Sequence, residues 1–173
     1  MKKGLENIKD INRQRYLKLV LREVMQELGE SLVSFVVYGS VARGDEHKSS
    51  DTDVLLILDS NETYSERCKR LAIVLTRVYN HKLTLELIER GYNVFIEFYP
   101  LNLEEALEFR PIYLDMVEDA VILYDKGVFE ELMLRLSNLL SRLGSKRIWI
   151  GEKSWFWELK PGIEFGEVVN YEL

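Results

Sequence analysis

The sequence predicts an α+β fold, a small mixed β-sheet with helices packed on it, followed by an aromatic-rich arm at the C-terminal end. Apolar residues recur at helical spacing in several segments, and shorter segments between them are rich in β-branched and aromatic residues, which is typical of strands. All three tryptophans lie in the last part of the chain, together with turn-forming Pro and Gly. We therefore expect one domain over residues 1–144 and an arm or hairpin over residues 145–173.

Composition and charge exclude several classes of protein. The 173 residues are 47% hydrophobic and 30% charged, which is typical of a globular chain and not of a disordered one. A formal net charge of −6 does not indicate a surface for long duplex nucleic acid. No apolar stretch approaches the length of a membrane span, and the charged N-terminus does not resemble a secretory signal. From the missing apolar span we expect no membrane partner. The single cysteine cannot form an intrachain disulfide, which favours a reducing compartment, so we expect a cytoplasmic protein.

The first part of the chain predicts one helix and two strands. An apolar stripe over about 8–28 predicts an amphipathic helix that Gly29 ends. Strands are predicted at 32–38 and 51–58, with a polar loop over 39–50 between them. The far half of the second strand is apolar on both faces, so we expect it inside the sheet.

The middle of the chain predicts two helices and a third strand. Apolar residues at helical spacing indicate helices over 64–81 and 83–89. Residues 93–99 are rich in β-branched and aromatic residues and predict a strand, which Pro100 is expected to end.

The last part of the domain predicts three helices and one strand. Asn102 with Glu105 three residues later forms a capping box that opens a helix. Pro111 is expected to begin the next helix at its first turn. A short strand at 120–124 then leads into an amphipathic helix over 128–143.

A pair of acids begins the second predicted strand. Asp51 and Asp53 are separated by one residue, and because strand side chains alternate between faces, both carboxylates emerge on the same side. Adjacent carboxylates raise each other's pKa unless a cation lies between them. The pair therefore predicts a site for hard divalent metals, Mg²⁺ first and Mn²⁺ as its substitute. The alternative is a solvated strand start with turn-favouring Asp.

Gly39 and Ser40 end the first predicted strand and indicate phosphate binding. The glycine lets another group approach the backbone closely, and the serine offers a hydroxyl and an N–H to an anion. If the first two strands are neighbours, this turn and the acid pair form one pocket. The substrate that such a pocket implies is a polyphosphate with a bound metal.

Glu97 lies on the third predicted strand, where an unpaired carboxylate would be costly to bury. Beside the second strand it would complete a three-carboxylate site for two ions. One ion would lower the pKa of an acceptor hydroxyl, and the other would neutralise the leaving pyrophosphate. The alternative is an edge-strand charge that prevents aggregation.

The spacing of these residues is similar to a known signature. Gly39-Ser40, ten further residues, then Asp51-x-Asp53 resembles the motif of the nucleotidyltransferase superfamily, which includes DNA polymerase beta-like enzymes, and specifically of its minimal stand-alone (MNT-type) members. The resemblance covers roughly residues 33–99. It implies a metal-dependent transfer of a nucleoside monophosphate, AMP first, from a nucleoside triphosphate to a hydroxyl, with release of pyrophosphate.

The resemblance also implies roles for individual residues. These are catalysis and metal binding for Asp51, Asp53 and Glu97, and substrate binding for Gly39, Ser40 and Arg43. Many members of the superfamily have Asp at the third acidic position. Glutamate is longer by one methylene, so this chain departs from the common pattern at Glu97.

The resemblance leaves the partners and the catalytic status open. Minimal members are often paired with a small helical HEPN protein as a toxin–antitoxin system. The chain could therefore be an active enzyme, an antitoxin-like protein that occludes a HEPN-type toxin, or a nucleotide-binding domain without catalysis. The three tryptophans, Trp149, Trp155 and Trp157, favour packing of the arm on its own domain or in a homodimer over stacking on the bases of an acceptor.

Overall fold

A five-stranded mixed β-sheet forms the centre of the structure, a computed structural model that describes residues 1–152, 154–164 and 167–168. The strands are β1 (Lys2–Lys3), β2 (Leu32–Tyr38), β3 (Thr52–Leu58), β4 (Ile96–Asn102) and β5 (Val121–Asp125). Their spatial order is β1-β5-β2-β3-β4. β2 is antiparallel to both β3 and β5, whereas β4 is parallel to β3 and β1 is parallel to β5. The predicted small mixed sheet is confirmed.

The helices of the described residues are α1 (Ile11–Leu28), α2 (Gly39–Arg43), α3 (Tyr64–Tyr79), α4 (Lys82–Glu89), α5 (Leu103–Leu107), α6 (Ile112–Asp119) and α7 (Val128–Leu143). α1 begins where the Asp10 carboxylate accepts hydrogen bonds from the backbone N–H groups of Asn12 and Arg13. α5 begins at the predicted capping box, in which Asn102 and Glu105 each accept the other's backbone N–H, at 2.7 and 2.9 Å. In the part of the chain that the structure describes, no helix combines the length and the apolar character that crossing a bilayer would require.

The helices cover both faces of the sheet. Buried residues of α1 and α3 form a first apolar cluster on one face, and those of α6 and α7 form a second on the other. β3 supplies Val54 and Leu56 to the first cluster and Leu55 and Ile57 to the second, and all four are fully buried. Alternating side chains therefore anchor both helical layers on one strand. This confirms the predicted position of β3 inside the sheet, between β2 and β4.

The segment 39–50 is not the uninterrupted loop that the sequence predicts, because its first five residues form α2. Val41 and Ala42 on this helix are fully buried in the first apolar cluster. A helix of one turn is too short to show a hydrophobic period, and packing rather than helix propensity stabilises it. The loop prediction is wrong over these five residues.

The third predicted strand, 93–99, is shifted towards the C-terminus. β4 contains Pro100 instead of ending before it. Because β4 lies at the edge of the sheet, only one of its sides needs N–H donors, and a proline is tolerated there. Asn93, predicted as the start of the strand, instead donates its backbone N–H to the carbonyl of Lys48 at 2.7 Å.

Beyond α7 the chain forms an antiparallel hairpin of β6 (Lys146–Trp149) and β7 (Trp155–Glu158), here called the C-terminal hairpin. Its Trp149 and Trp155 rings are in contact, with centroids 5.0 Å apart. Trp157 packs against the second apolar cluster. The hairpin is therefore attached to the domain by apolar contacts of its own chain. Residues 153, 165–166 and 169–173 of the predicted arm lie outside the described residues.

Candidate active site

Three carboxylates meet at one end of β3 and β4. In the register of these parallel strands Asp53 lies beside Glu97, and Asp51 precedes the first residue of β3. Each of the three offers a carboxylate oxygen, and these oxygens all lie within 4.8 Å of one another. We call these residues the carboxylate triad. The fold thus brings together the three acids that the sequence singled out, although they are up to 46 positions apart in the chain (97 minus 51).

Gly39 allows the backbone at the end of β2 to lie against this triad. Its φ of +70° is in the left-handed region that favours glycine. A Cβ added at Gly39 would lie 2.1 Å from Oδ2 of Asp53. The group that approaches the glycine is therefore a carboxylate of the triad, which explains why a side chain cannot be present there.

Negative charge is concentrated at the triad. Burial, and after it the charges of Asp51 and Glu97, raise the pKa of Asp53 to about 6, while Arg43 opposes the shift. Burial also raises the pKa of Tyr38, which pairs with Asp53 in the sheet. The Tyr38 hydroxyl therefore keeps its proton at neutral pH. The triad has more negative charge than its nearest cation balances, and its donors are the hard oxygens that divalent cations prefer.

A cavity of about 320 Å³ opens beside the triad. Its lining consists of Tyr38, Gly39, Arg43, Asp53, Glu97, Ile112, Asp115, Met116 and Asp119. Four predicted site residues therefore share one cavity with two acids of α6. Ser40, in the first turn of α2, is not among the described residues that line it, and its carbonyl accepts the backbone N–H groups of Gly44 and Asp45.

Arg43 lies at the wall of the cavity, in the last turn of α2. Its Nε donates to Oδ2 of Asp45 at 3.2 Å. The guanidinium also lies over the ring of Trp155, 4.9 Å from the ring centroid. Arg43 is therefore held between a loop carboxylate and the C-terminal hairpin, close enough to the triad to oppose part of the rise in the pKa of Asp53.

Arg13 of α1 holds the segment that leads into the triad, and sequence reasoning missed it. The side chain is 2% exposed and donates to Oγ1 of Thr52 at 3.2 Å. It also donates to the backbone carbonyls of Lys48, Ser50 and Asn93, at 3.1, 2.5 and 2.7 Å. Nothing in the sequence separates this arginine from the others of the same amphipathic helix.

Arg13→Met is expected to destabilise the protein by about 3 kcal/mol, because the buried Thr52 hydroxyl and three backbone carbonyls would lose a charged donor. In a chain of this size that corresponds to a fall in Tm of roughly 6 to 12 °C. The matched control is Arg15→Met, since Arg15 is exposed on the same helix. Thermal unfolding followed by circular dichroism measures both variants. Equal Tm values for the two would show that Arg13 does not hold the segment.

Asp115 and Asp119 of α6 are the other site residues that sequence reasoning missed. Both are half-buried and line the cavity. Their spacing of four residues places them on one face of α6, which is a recognisable signal. However, the sequence does not tell which strand end that face meets.

The residues that line the cavity of this site lie within a match to a known protein family. The sequence matches the family described as "Nucleotidyltransferase domain" over residues 18–132, which is more than half of the chain. The chain belongs to the nucleotidyltransferase family. The match includes the whole carboxylate triad and the Gly39-Ser40 turn, and it ends within α7. The family assignment made from the Gly-Ser and Asp-x-Asp motif is thereby confirmed.

Solved structures and curated proteins provide two further comparisons for this nucleotidyltransferase. Among solved structures, one described as "Crystal structure of the toxin-antitoxin with AMP-PNP" is similar, with a TM-score of 0.48 and 12% sequence identity. The similarity covers 72% of this chain and 86% of that chain. Comparison with curated proteins found no match.

Proposed function

We propose that this nucleotidyltransferase transfers a nucleoside monophosphate, AMP in the first place, from a nucleoside triphosphate to a hydroxyl acceptor and releases pyrophosphate. The observation that carries the proposal is the carboxylate triad, whose oxygens lie within 4.8 Å of one another beside an open cavity. Membership of the nucleotidyltransferase family supports the reaction class. The choice of nucleotide, the acceptor and the activity of this member are parts of the proposal.

The donor set of the triad fits a divalent cation, Mg²⁺ first and Mn²⁺ as its substitute. Asp51, Asp53 and Glu97 would hold it, because carboxylate oxygens are the ligands these hard cations prefer. The raised pKa of Asp53 is consistent with this assignment, because its carboxylate is first desolvated by burial and then repelled by the charges of Asp51 and Glu97, both of which a bound cation would offset. Two bound ions, the number expected from the sequence, would stabilise negative charge on the phosphoryl oxygens and the leaving pyrophosphate and lower the pKa of the acceptor hydroxyl.

The protein's own groups would bind and orient the substrate. The guanidinium of Arg43, a residue that lines the cavity, would pair with a phosphate. The protonated hydroxyl of Tyr38, which also lines the cavity, can donate a hydrogen bond. Catalysis of this kind depends on positioning and electrostatic stabilisation. The pairing of β3 with β4 would position the carboxylates of Asp53 and Glu97 side by side.

The acceptor and the partners are further parts of the proposal. We rank a protein hydroxyl first among acceptors, because the net charge of −6 does not favour a long nucleic acid. A HEPN-type helical protein and a second copy of this chain are the partners that the family resemblance and the aromatic arm suggested. An antitoxin that acts by occlusion would not need the triad, so the experiments on the triad distinguish it from an enzyme.

Binding of ATP to the purified protein tests the proposal without knowledge of the acceptor. We expect Mg²⁺ or Mn²⁺ to tighten ATP binding by about tenfold or more over the protein in a chelator, because the triad and the triphosphate repel each other without a cation. AMP, which lacks the β- and γ-phosphates, is the control and should gain much less from the metal. Isothermal titration calorimetry measures both ligands. ATP affinity that does not change with the divalent ion would contradict the proposal.

A further inference from the structure

The C-terminal hairpin lies beyond the residues that match the family, yet it contacts the candidate active site. The family match ends at residue 132, and the hairpin begins with Lys146. On β7, the Trp155 ring lies beneath the guanidinium of Arg43, which lines the cavity. A segment outside the matched residues therefore touches a side chain proposed to bind phosphate.

Hairpin side chains also pair with the two acids that α6 places in the cavity. The indole N–H groups of Trp155 and Trp157 both donate to Oδ1 of Asp115, at 2.8 and 2.9 Å. Arg147 makes an ion pair with Asp119, in which Nη2 lies 3.3 Å from Oδ1. The Arg147 side chain is only 9% exposed, so water does not replace this pairing readily.

These pairings decide the charge that a ligand would meet. Among the residues that the structure describes, the cavity lining contains, besides Asp53 and Glu97 of the triad, the acids Asp115 and Asp119 and one arginine, Arg43. A nucleoside triphosphate is a polyanion, and unpaired carboxylates in a half-buried cavity would repel it. Cations bound at the triad would offset the negative charge of its carboxylates. The negative charges of the two α6 acids would remain unless other side chains pair with them.

We propose that the C-terminal hairpin is part of the nucleotide-binding site. Arg147 neutralises Asp119, the two indole N–H groups stabilise the Asp115 carboxylate by hydrogen bonds, and Trp155 holds Arg43 at the cavity wall, so that the cavity accepts a nucleoside triphosphate. This proposal rests on the proposed function. It assigns the substrate-binding role to a segment that the matched residues do not contain.

The experiment compares two cations that are neighbours in β6. Arg147→Gln and Lys146→Gln remove the same charge, but adjacent residues of a strand face opposite sides, and Lys146 is exposed. We expect Arg147→Gln to weaken ATP binding in Mg²⁺ by roughly tenfold, which is the effect of removing one partly screened charge. The loss of affinity should be smaller at high salt, because salt screens the charge. Lys146→Gln should stay within about twofold of wild type. Titration calorimetry on the full chain measures all three proteins.

A compensating variant separates an electrostatic role from a merely structural one. Arg147 pairs with two carboxylates, those of Asp119 and of the exposed Glu118, and of these two residues Asp119 lines the cavity. In Arg147→Gln/Asp119→Asn the cavity carboxylate is also removed, so ATP affinity should return to within about threefold of wild type. If the hairpin only stabilises the fold, the double variant will bind as weakly as Arg147→Gln. That result would overturn the proposal.

Two further results would show whether the role of the hairpin alone is wrong or the proposed function as well. Wild-type affinity in Arg147→Gln, or an equal loss in Lys146→Gln, would overturn the role of the hairpin and leave the proposed function intact. Failure of the wild-type protein to bind ATP with Mg²⁺ would overturn both.

If Arg147→Gln does not fold, Trp155→Phe replaces it, because it keeps a ring beneath Arg43 and removes one N–H from Asp115. We expect it to bind ATP about threefold more weakly, and unchanged binding would overturn the proposal.

Discussion

Asp53→Asn is expected to abolish nucleotidyl transfer, by about a thousandfold or more, and at the same time to stabilise the protein in the absence of divalent ions. Activity is lost because the triad loses one of its three charged ligands. Stability is gained because an uncharged side chain of the same shape replaces a carboxylate that is half-buried beside two others. The opposite signs of the two effects are typical of a functional site that costs stability.

The pH dependence of the stability follows from the raised pKa of Asp53. The pKa of about 6 in the folded protein lies above the ordinary value of 3.8, so the folded state binds the proton more tightly than the unfolded state. This contribution to stability is present at low pH and is lost as the pH rises from about 4 to about 6. The full shift would correspond to about 3 kcal/mol, but Asp53 is only half-buried and solvent screens its charge. At neutral pH without metal we therefore expect Asp53→Asn to raise the free energy of unfolding by about 1 kcal/mol, or Tm by about 3 °C.

Thermal unfolding in a chelator and pyrophosphate release in Mg²⁺ check the two effects. The matched control is Asp59→Asn, since Asp59 is an exposed acid just beyond the other end of β3. It should change neither activity nor Tm appreciably. An Asp53→Asn protein that keeps its activity, or that melts below wild type in the chelator at neutral pH, would contradict this account of the site.

Gly39→Ala should also abolish transfer, but with a loss of stability instead of a gain. The added Cβ would lie 2.1 Å from Oδ2 of Asp53, so either the carboxylate or the turn must move. The φ of +70° adds a strain of about 1 to 2 kcal/mol for a residue with a side chain. We expect activity to fall by about a hundredfold or more and stability to fall by about 2 kcal/mol or more, because displacement of a positioned catalytic group is costly.

Gly91→Ala is the matched control for Gly39→Ala. Gly91 has a φ of +80°, but a Cβ there would meet nothing within 4 Å. This variant should lose about 1 kcal/mol of stability from backbone strain and keep full activity. Activity assays and thermal unfolding of both variants separate strain from the clash with Asp53. Full activity in Gly39→Ala would show that the turn is not needed to place the triad.

Much of the fold was predictable because its main elements show local patterns. β3 could be placed inside the sheet since its apolar residues alternate between two buried faces, and the capping box of Asn102 and Glu105 marked the start of α5. β1, a pair of lysines, carries no strand pattern and forms by pairing with β5. The position of β4 around Pro100 likewise depends on pairing, because its register with β3 outweighs the local effect of the proline.

The candidate site also contains residues that local sequence patterns reveal and residues that only tertiary packing brings together. Asp51 and Asp53 share a side because strand side chains alternate, so their pairing could be read from two positions. Arg13 acts on residues more than thirty positions away, and Trp155 donates to Asp115 across 40 positions. Such contacts follow from how the helices and the hairpin pack, and a single sequence contains no record of that packing.

The fate of a label in ATP tests the central claim, nucleotidyl transfer, most directly. The protein is incubated with Mg²⁺ and ATP labelled at either the α- or the γ-phosphate, alone and with a HEPN-type helical partner. The account predicts that α-label becomes attached to the partner or to the protein itself and that γ-label leaves as pyrophosphate. Attachment of the γ-label, or binding of ATP without any transfer of the α-label in the presence of the partner, would contradict it.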